Sequence, residues 1–212
     1  LAPVPTSKPV ALSSAAHGIG STRVADEDGM VMMHVPAGEF LMGSAGSDRD
    51  ASNDEKPQHT VLLDAFWIDR TEVTNAMFAR FVSATGYKTD AENLGDGSVC
   101  VSAGKWNDVH GADWRHPSGP SSNISQKDGY PVVQVTWNDA AAYCRWAGRQ
   151  LPTEAQWEKA ARGMDGRIYP WGNGWDSAKC NSGEGGLLKT TAVGAYPAGA
   201  SPYGALDMAG NV

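Results

Sequence analysis

Cysteine is scarce in this chain: Cys100, Cys144 and Cys180 are its three. None forms a CxxC pair, and an odd count at wide spacing is not a disulfide framework. Long apolar runs are missing too. Nothing approaches the roughly 18 residues that would suggest a membrane span. Basic residues are outnumbered, with 17 Lys and Arg against 24 Asp and Glu and a net charge of -7. That balance argues against nucleic acid as a partner and gives a mild hint of cation binding. Charged residues make up only 19% of the chain, while 41% is hydrophobic, with 25 glycines and 8 tryptophans. Such a mix builds one core, with much irregular backbone held by large aromatic anchors.

The chain begins with Leu1, and residues 1–29 are rich in Ala, Ser, Pro and Val. They lack a basic start followed by an apolar core, so they are not an intact signal peptide. They read as a flexible tail or linker at the mature start of an exported protein, periplasmic or extracellular, with a cytoplasmic location as the alternative. The folded part is expected from Met30. MVMMHVPAGEFLMG predicts two short strands around a Pro-Ala-Gly turn, 44–58 a polar loop, and Val61–Ile68 a further strand region. Thr74 caps a helix whose shared face is Phe78, Phe81 and Val82, and Gly86 ends it. Residues 87–130 show little periodicity and read as one long irregular region, of a kind that is often functional. YPVVQVTW, 130–137, reads as a buried strand.

The densest motif follows, WNDAAAYCRWAGRQLPTEAQWEKAARG at 137–163. Asn138 is the expected cap of a second helix that buries Ala140, Tyr143, Cys144 and Ala147, with Gly148 as a left-handed end. Thr153 and Gln156 form a capping box for a third helix that buries Trp157 and Ala161 and closes at Gly163. Glu154 and Glu158, four apart, read as a solvated face. His34, His59 and His110 lack metal-ligand spacing, and Asn123-Ile124-Ser125 is a glycosylation sequon with meaning only in a eukaryotic secretory setting.

This block, with VPAGEFLMGS, DAFWIDRTEVTNAMFARFV, GADWRHPSGPSS, YPWGN and YGALDMAGNV, resembles the formylglycine-generating enzyme family, also called sulfatase-modifying factors. The resemblance covers about 30–212. It implies an α+β class and a modified C-type-lectin-like fold with low regular secondary structure. It also implies a copper-dependent oxidation, using oxygen, of a cysteine in a CxPxR-type motif of a sulfatase to formylglycine. The central block is shared across the wider superfamily; GADWRHPSGP is narrower and is similar to the branch that oxidises the sulfatase cysteine.

In the family two cysteines hold the copper, and soft thiolates suit Cu(I). They lie beyond a GNxWEW segment that begins where this chain reaches Gly210-Asn211-Val212. No cysteine pair here carries over, so these 212 residues alone are not expected to catalyse the reaction, and a further C-terminal part is an expected partner. Family likeness implies structural calcium at Asp207, with the carbonyls of Met208, Gly210 and Val212. A second site would involve Asn181 and Ser182, although its aspartate falls at Gly185 or Glu184. Calcium takes six to eight hard oxygens from irregular backbone. Trp114, Arg115 and His116 are the candidate wall of a substrate groove, against the alternative of a packed Trp with structural hydrogen bonds from Arg. Cys144 commonly pairs with a C-terminal cysteine in the family and is expected here as a free buried thiol. Cys180 reads as a loop thiol without metal neighbours, and Cys100 has no family counterpart. A competing function is a non-catalytic lectin-like binding module. A third, an iron-dependent sulfoxide synthase part, requires HxxxHxE-like spacing that 1–73 lacks.

Overall fold

The computed structural model describes residues 17–102 and 104–212. Strand β2 (Val31–Val35) lies at its centre, pairing antiparallel with β1 (Thr22–Val24) on one side and β5 (Phe66–Asp69) on the other. The register sets Thr22 opposite Met33, and Met33 opposite Ile68. Met32, Met33, His34 and Val35 are all buried, so this strand is covered on both faces. A second antiparallel pair joins β3 (Gly38–Met42) to β4 (His59–Leu63). Here Phe40 turns into the core while Leu62 stays exposed.

The helices start and stop where their end chemistry directs. In α1 (Asn75–Thr85), Thr74 Oγ1 accepts from the Met77 N–H at 3.3 Å, and Gly86 ends the helix at φ 68°. In α4 (Glu154–Arg162), the Thr153–Gln156 box is present with both bonds, and Gly163 follows at φ 78°. The two flanking elements, α2 (Asp90–Leu94) and α3 (Trp137–Trp146), are also boxed, by Thr89 with Glu92 and by Thr136 with Asp139.

Two hydrophobic clusters fill the interior. One joins Met33, Val35 and Ile68 to Ala160 of α4 and to Tyr203. The other joins Phe78 and Phe81 of α1 to Tyr143, Ala147 and Trp114. Its rings meet edge to face, Phe78 on Trp114 at 5.3 Å and Phe81 on Tyr143 at 5.6 Å, the arrangement that ring quadrupoles favour. Where strands and helices are absent, buried cations satisfy the backbone carbonyls instead. The fully buried Lys159 donates to Pro36 O at 2.9 Å and Gly38 O at 2.8 Å. Arg162 donates to Gly43 O at 2.8 Å and Arg167 O at 2.6 Å.

Several expectations change. The region 87–130 contains α2 and a hairpin of β6 (Asp96–Ser102) with β7 (Lys105–His110). Both hairpin faces are largely exposed, so its sequence shows no alternation to read. The stretch 130–137 is not a strand: Pro131 has no N–H, and Gln134 takes a φ of 60° so that its amide donates to Pro117 O and Ser98 O. The cap of α3 is Thr136 rather than Asn138, and Ala141 rather than Ala140 is buried. Trp157 is 47% exposed, its place in the core taken by Ala160. Glu158 is no free surface charge, because its Oε1 accepts from Gly43 N at 2.8 Å and from Arg162 at 2.6 Å.

The fold also begins upstream of Met30. Residues 1–16 of the expected tail lie outside the described residues, but β1 falls at 22–24 and Asp28 is 1% exposed. The Asp28 carboxylate accepts from the Met30 N–H at 3.0 Å, from Arg149 and from the Tyr143 hydroxyl. Burial opposes its ionisation, yet the bonds from Arg149 and Tyr143 hold its pKa below the ordinary carboxylate value. Asp28→Asn removes the buried charge that Arg149 Nη2 and the Tyr143 hydroxyl bond and should cost about 3 kcal/mol of stability. Tyr143→Phe removes one charge-assisted bond and should cost about 1.5–3 kcal/mol. Urea unfolding followed by tryptophan fluorescence measures both; an unchanged midpoint in Asp28→Asn would contradict the role given to this pair.

Candidate functional site

The sequence-selected residues fall in two places. The first is the loop Asp113–Gly119. Asp113 Oδ1 accepts the backbone N–H groups of Arg115 at 2.6 Å and His116 at 2.8 Å, and His116 Nδ1 lies 3.1 Å from the same oxygen. Burial opposes this carboxylate's charge, but His116 and the two backbone donors lower its pKa. Trp114 is 2% exposed and sits in the aromatic core, so it is no groove wall. Arg115 covers it, with its guanidinium 4.1 Å from the ring centroid and its Nη1 2.6 Å from Glu92 Oε1. The Arg115 and His116 side chains remain 43% and 41% exposed. What the loop presents outward is therefore a basic edge on a rigid aromatic base.

The second place is a groove of about 690 Å³ between β5, the α3–α4 turn and the segment Leu206–Val212. Phe66, Trp67 and Trp157 form aromatic walls, and Asp207, Met208, Gly210 and Val212 line one side. None of Trp114, Arg115 and His116 lines it. Arg149 reaches in from its bond to Asp28, with Nε 3.5 Å from Asp69 Oδ1. Burial nevertheless raises the Asp69 pKa to about 6, against the pull of Arg149. Glu72 is raised to about 7, by burial and by the adjacent negative charge of Asp207.

The Leu206–Val212 segment is locked from beneath. Asp207 adopts φ 57° and its Oδ2 accepts from Gly194 N at 2.5 Å, whereas its Oδ1 is buried without a hydrogen-bond partner. Asn211 Oδ1 accepts from Thr191 N at 2.8 Å and from Asn181 Nδ2 at 3.1 Å. Asn181 Nδ2 also donates to Lys189 O at 2.8 Å, so this side chain clips two loops together. Ser182 stands just before the short turn Gly183–Gly185, without a side-chain cap bond. The Asn181 carbonyl packs so closely on Gly210 that no β-carbon fits there. The two ligand groups expected from the sequence are thus brought into contact.

All three cysteines are free. Cys100 is exposed on the β6–β7 hairpin, Cys180 is buried, and Cys144 is half-buried at the groove, more open than expected. Burial raises the thiol pKa of both Cys144 and Cys180, the reverse of what a thiolate nucleophile or metal ligand needs. Among the described residues, no group of three or more His, Cys, Asp or Glu side chains is placed to hold a metal, and no helix is long and apolar enough to cross a membrane.

The sulfatase-modifying factor enzyme 1-like domain matches residues 19–212. The chain belongs to this family. It is 40% identical over 212 residues to the formylglycine-generating enzyme of Mus musculus, and 43% identical over 210 residues to that of Streptomyces coelicolor. Each alignment takes in 85% of this chain, but 56% of the mouse enzyme and 66% of the Streptomyces one. A mouse protein named inactive C-alpha-formylglycine-generating enzyme 2 is also 40% identical over 207 residues, covering 85% of the chain and 66% of that protein. Among solved structures, PvdO from Pseudomonas aeruginosa superposes with a TM-score of 0.70 at 27% identity, covering 93% of this chain and 74% of that one. The sulfatase-modifying factor domain here has the expected α+β character, short elements joined by long glycine-rich loops.

Sequence reasoning missed Asp69, Glu72 and Arg149 in this domain's groove. All three sit in the recognised blocks, but only the fold shows that they face one cavity. Asp69 has a readable consequence. Its carboxyl keeps a proton in the folded chain up to about pH 6, while the unfolded chain releases it near pH 3.9. The folded state therefore loses this share of stability as pH rises from about 4 to 6. Asp69→Asn should gain stability relative to the parent across that window and level off above it, in denaturant midpoints taken at half-unit pH steps. A difference that stays flat with pH would contradict the assignment.

Proposed function

We propose that this protein serves in the oxidation of a cysteine in a protein substrate, such as a sulfatase, to formylglycine, with Arg115 and His116 facing the substrate. The observation that carries this reading is the Asp113–Gly119 loop. It resembles the sulfatase-oxidising branch, and Asp113 holds it with the Arg115 and His116 side chains partly exposed. The identities of about 40% to named formylglycine-generating enzymes support it. A carboxylate-rich or backbone-carbonyl-rich peptide is what such an edge would orient.

Copper does not fit the residues described. Cys100, Cys144 and Cys180 sit on separate elements, and burial raises the thiol pKa of Cys144 and Cys180, so no step through copper is derived from them. Calcium fits better. Asp207 Oδ1 is buried without a donor, on a loop whose backbone is already in a left-handed turn. Asp207, with the carbonyls of Met208, Gly210 and Val212, would hold a hard cation, which would rigidify that side of the groove. Asn181 commits its amide nitrogen to Lys189 O and Asn211 Oδ1, so its Oδ1 is the atom a cation would take.

A second reading, a binding module without oxidase activity, is favoured by the equal likeness to the inactive mouse relative. A fluorescent CxPxR peptide separates the two. On the first reading the chain binds it, and Arg115→Ala and His116→Ala each weaken binding about tenfold, the loss of one charge-assisted contact. With copper and oxygen present, no aldehyde is expected on the peptide from this chain alone, as read by hydrazide labelling. Absence of any peptide binding would favour the module; aldehyde formation would show that thiols within this chain suffice.

A further inference from the structure

Arg115 and His116 form a basic edge, yet each is rooted in a carboxylate. Arg115 Nη1 lies 2.6 Å from Glu92 Oε1, and His116 Nδ1 lies 3.1 Å from Asp113 Oδ1. Taken together, these four side chains carry no net positive charge, whether or not the imidazole is doubly protonated. An acidic substrate segment therefore finds no net attraction at this edge.

Glu92 is the less obvious of the two carboxylates, because it lies 23 residues before its arginine. Its other oxygen, Oε2, accepts from Thr89 N at 2.9 Å and from the Thr89 hydroxyl at 3.1 Å, so both oxygens are engaged. Thr89 is fully buried. Asp139, also fully buried, accepts from Asp90 N at 3.1 Å and from the Tyr87 hydroxyl at 2.9 Å. The start of α2 is thereby pinned to α3, and Glu92 with it. The guanidinium that Glu92 holds also lies 4.1 Å from the centroid of the buried Trp114 ring. An arginine side chain has much rotamer freedom to lose, and here the ring and the carboxylate have already removed it.

The bond to Glu92 is the one side-chain hydrogen bond that Arg115 makes among the described residues, which leaves Nε and Nη2 for a ligand. His116 differs. Its Nδ1 faces a carboxylate and so carries the ring proton, which makes Nε2 an acceptor while the ring is neutral. A pair of donors beside one acceptor complements a peptide group, whose carbonyl accepts and whose N–H donates.

We propose that Glu92 sets the specificity of this edge: it compensates the charge of Arg115 and holds the free guanidinium donors at the surface, so that the site takes the uncharged backbone of an extended substrate segment rather than acidic side chains. The inference rests on the reading of Arg115 and His116 as facing the substrate, and narrows the group they orient to the peptide carbonyl. Glu92 acts through Arg115 and is a positioning residue.

Two fluorescent CxPxR peptides, one flanked by alanines and one by glutamates, test it against the full chain. The parent should bind the alanine-flanked peptide at least as tightly as the other, with less than about a threefold change between about 50 and about 200 mM salt. Glu92→Gln keeps the capping box and an oxygen for Arg115 but removes the charge. It should bind the glutamate-flanked peptide about tenfold more tightly than the parent does, lose most of that gain at the higher salt, and hold the alanine-flanked affinity within about twofold. Glu92→Ala frees the guanidinium and should weaken the alanine-flanked peptide about tenfold, with thermal melts showing that the variant is folded. If Glu92→Gln leaves the preference between the peptides unchanged while Arg115→Ala weakens both, the edge stands and the role of Glu92 is overturned. A parent that prefers the glutamate-flanked peptide overturns it as well. If the parent binds neither peptide, or Arg115→Ala changes neither affinity, the substrate reading of the edge falls and the inference with it.

Discussion

A single buried carboxylate, that of Asp28, joins the parts of this fold that lie far apart in the chain. It takes the Met30 N–H at the start of the central strand, the Tyr143 hydroxyl from α3 and the Arg149 guanidinium just beyond that helix. Arg149 then reaches Asp69 at the end of β5 and so into the groove. A charge so completely removed from water is tolerated only when it is fully bonded. The requirement for complete partnering fixes the position of the strand, the helix end and the groove wall relative to one another. The aromatic cluster of Phe78, Phe81, Trp114 and Tyr143 packs against the same tyrosine, so apolar burial and the buried ion pair constrain the same element.

With so little regular structure, carbonyls must find donors outside helix and sheet ladders. Lys159 and Arg162, on one helix, supply them for the β2–β3 turn and for the loops around Gly43 and Arg167. Asn181 and Asn211 do the same for the C-terminal loops, donating to Lys189 O and Thr191 O. In this architecture long polar side chains do the work that backbone pairing does elsewhere, and loops become as well defined as helices. That is the condition for placing functional groups on irregular backbone, as the Asp113 lock does for Arg115 and His116.

The parts legible in the sequence were those governed by neighbours three or four residues apart. Thr74 with Gly86, and Thr153 with Gln156, mark helix ends through local hydrogen bonds, and both marks are where the pattern placed them. Local chemistry was also readable at Thr89 and Glu92, whose capping box starts a short helix inside a region that looks irregular. The β6–β7 hairpin left no alternation because neither face is buried, and Pro131 with Gln134 broke a run whose apolar residues suggested a strand. Among the candidate site residues, Trp114 could be read either as a groove wall or as a packed aromatic, and the fold buries it. Burial depends on what packs over it, here Phe78 and Arg115.

The amino-acid sequence by itself determined the family, the ends of α1 and α4, the lack of a cysteine framework and the placing of Asp207 in a turn-forming loop. These follow from composition and from short-range spacing. The tertiary structure alone decided that residues 22–28 belong to the fold, and that Cys144, Glu72 and Asp207 line one groove. Those outcomes join positions as far apart as Asp28 and Arg149, 121 residues along the chain. No local period encodes such a meeting, because it arises only when burial forces each charge and each carbonyl to find its partner.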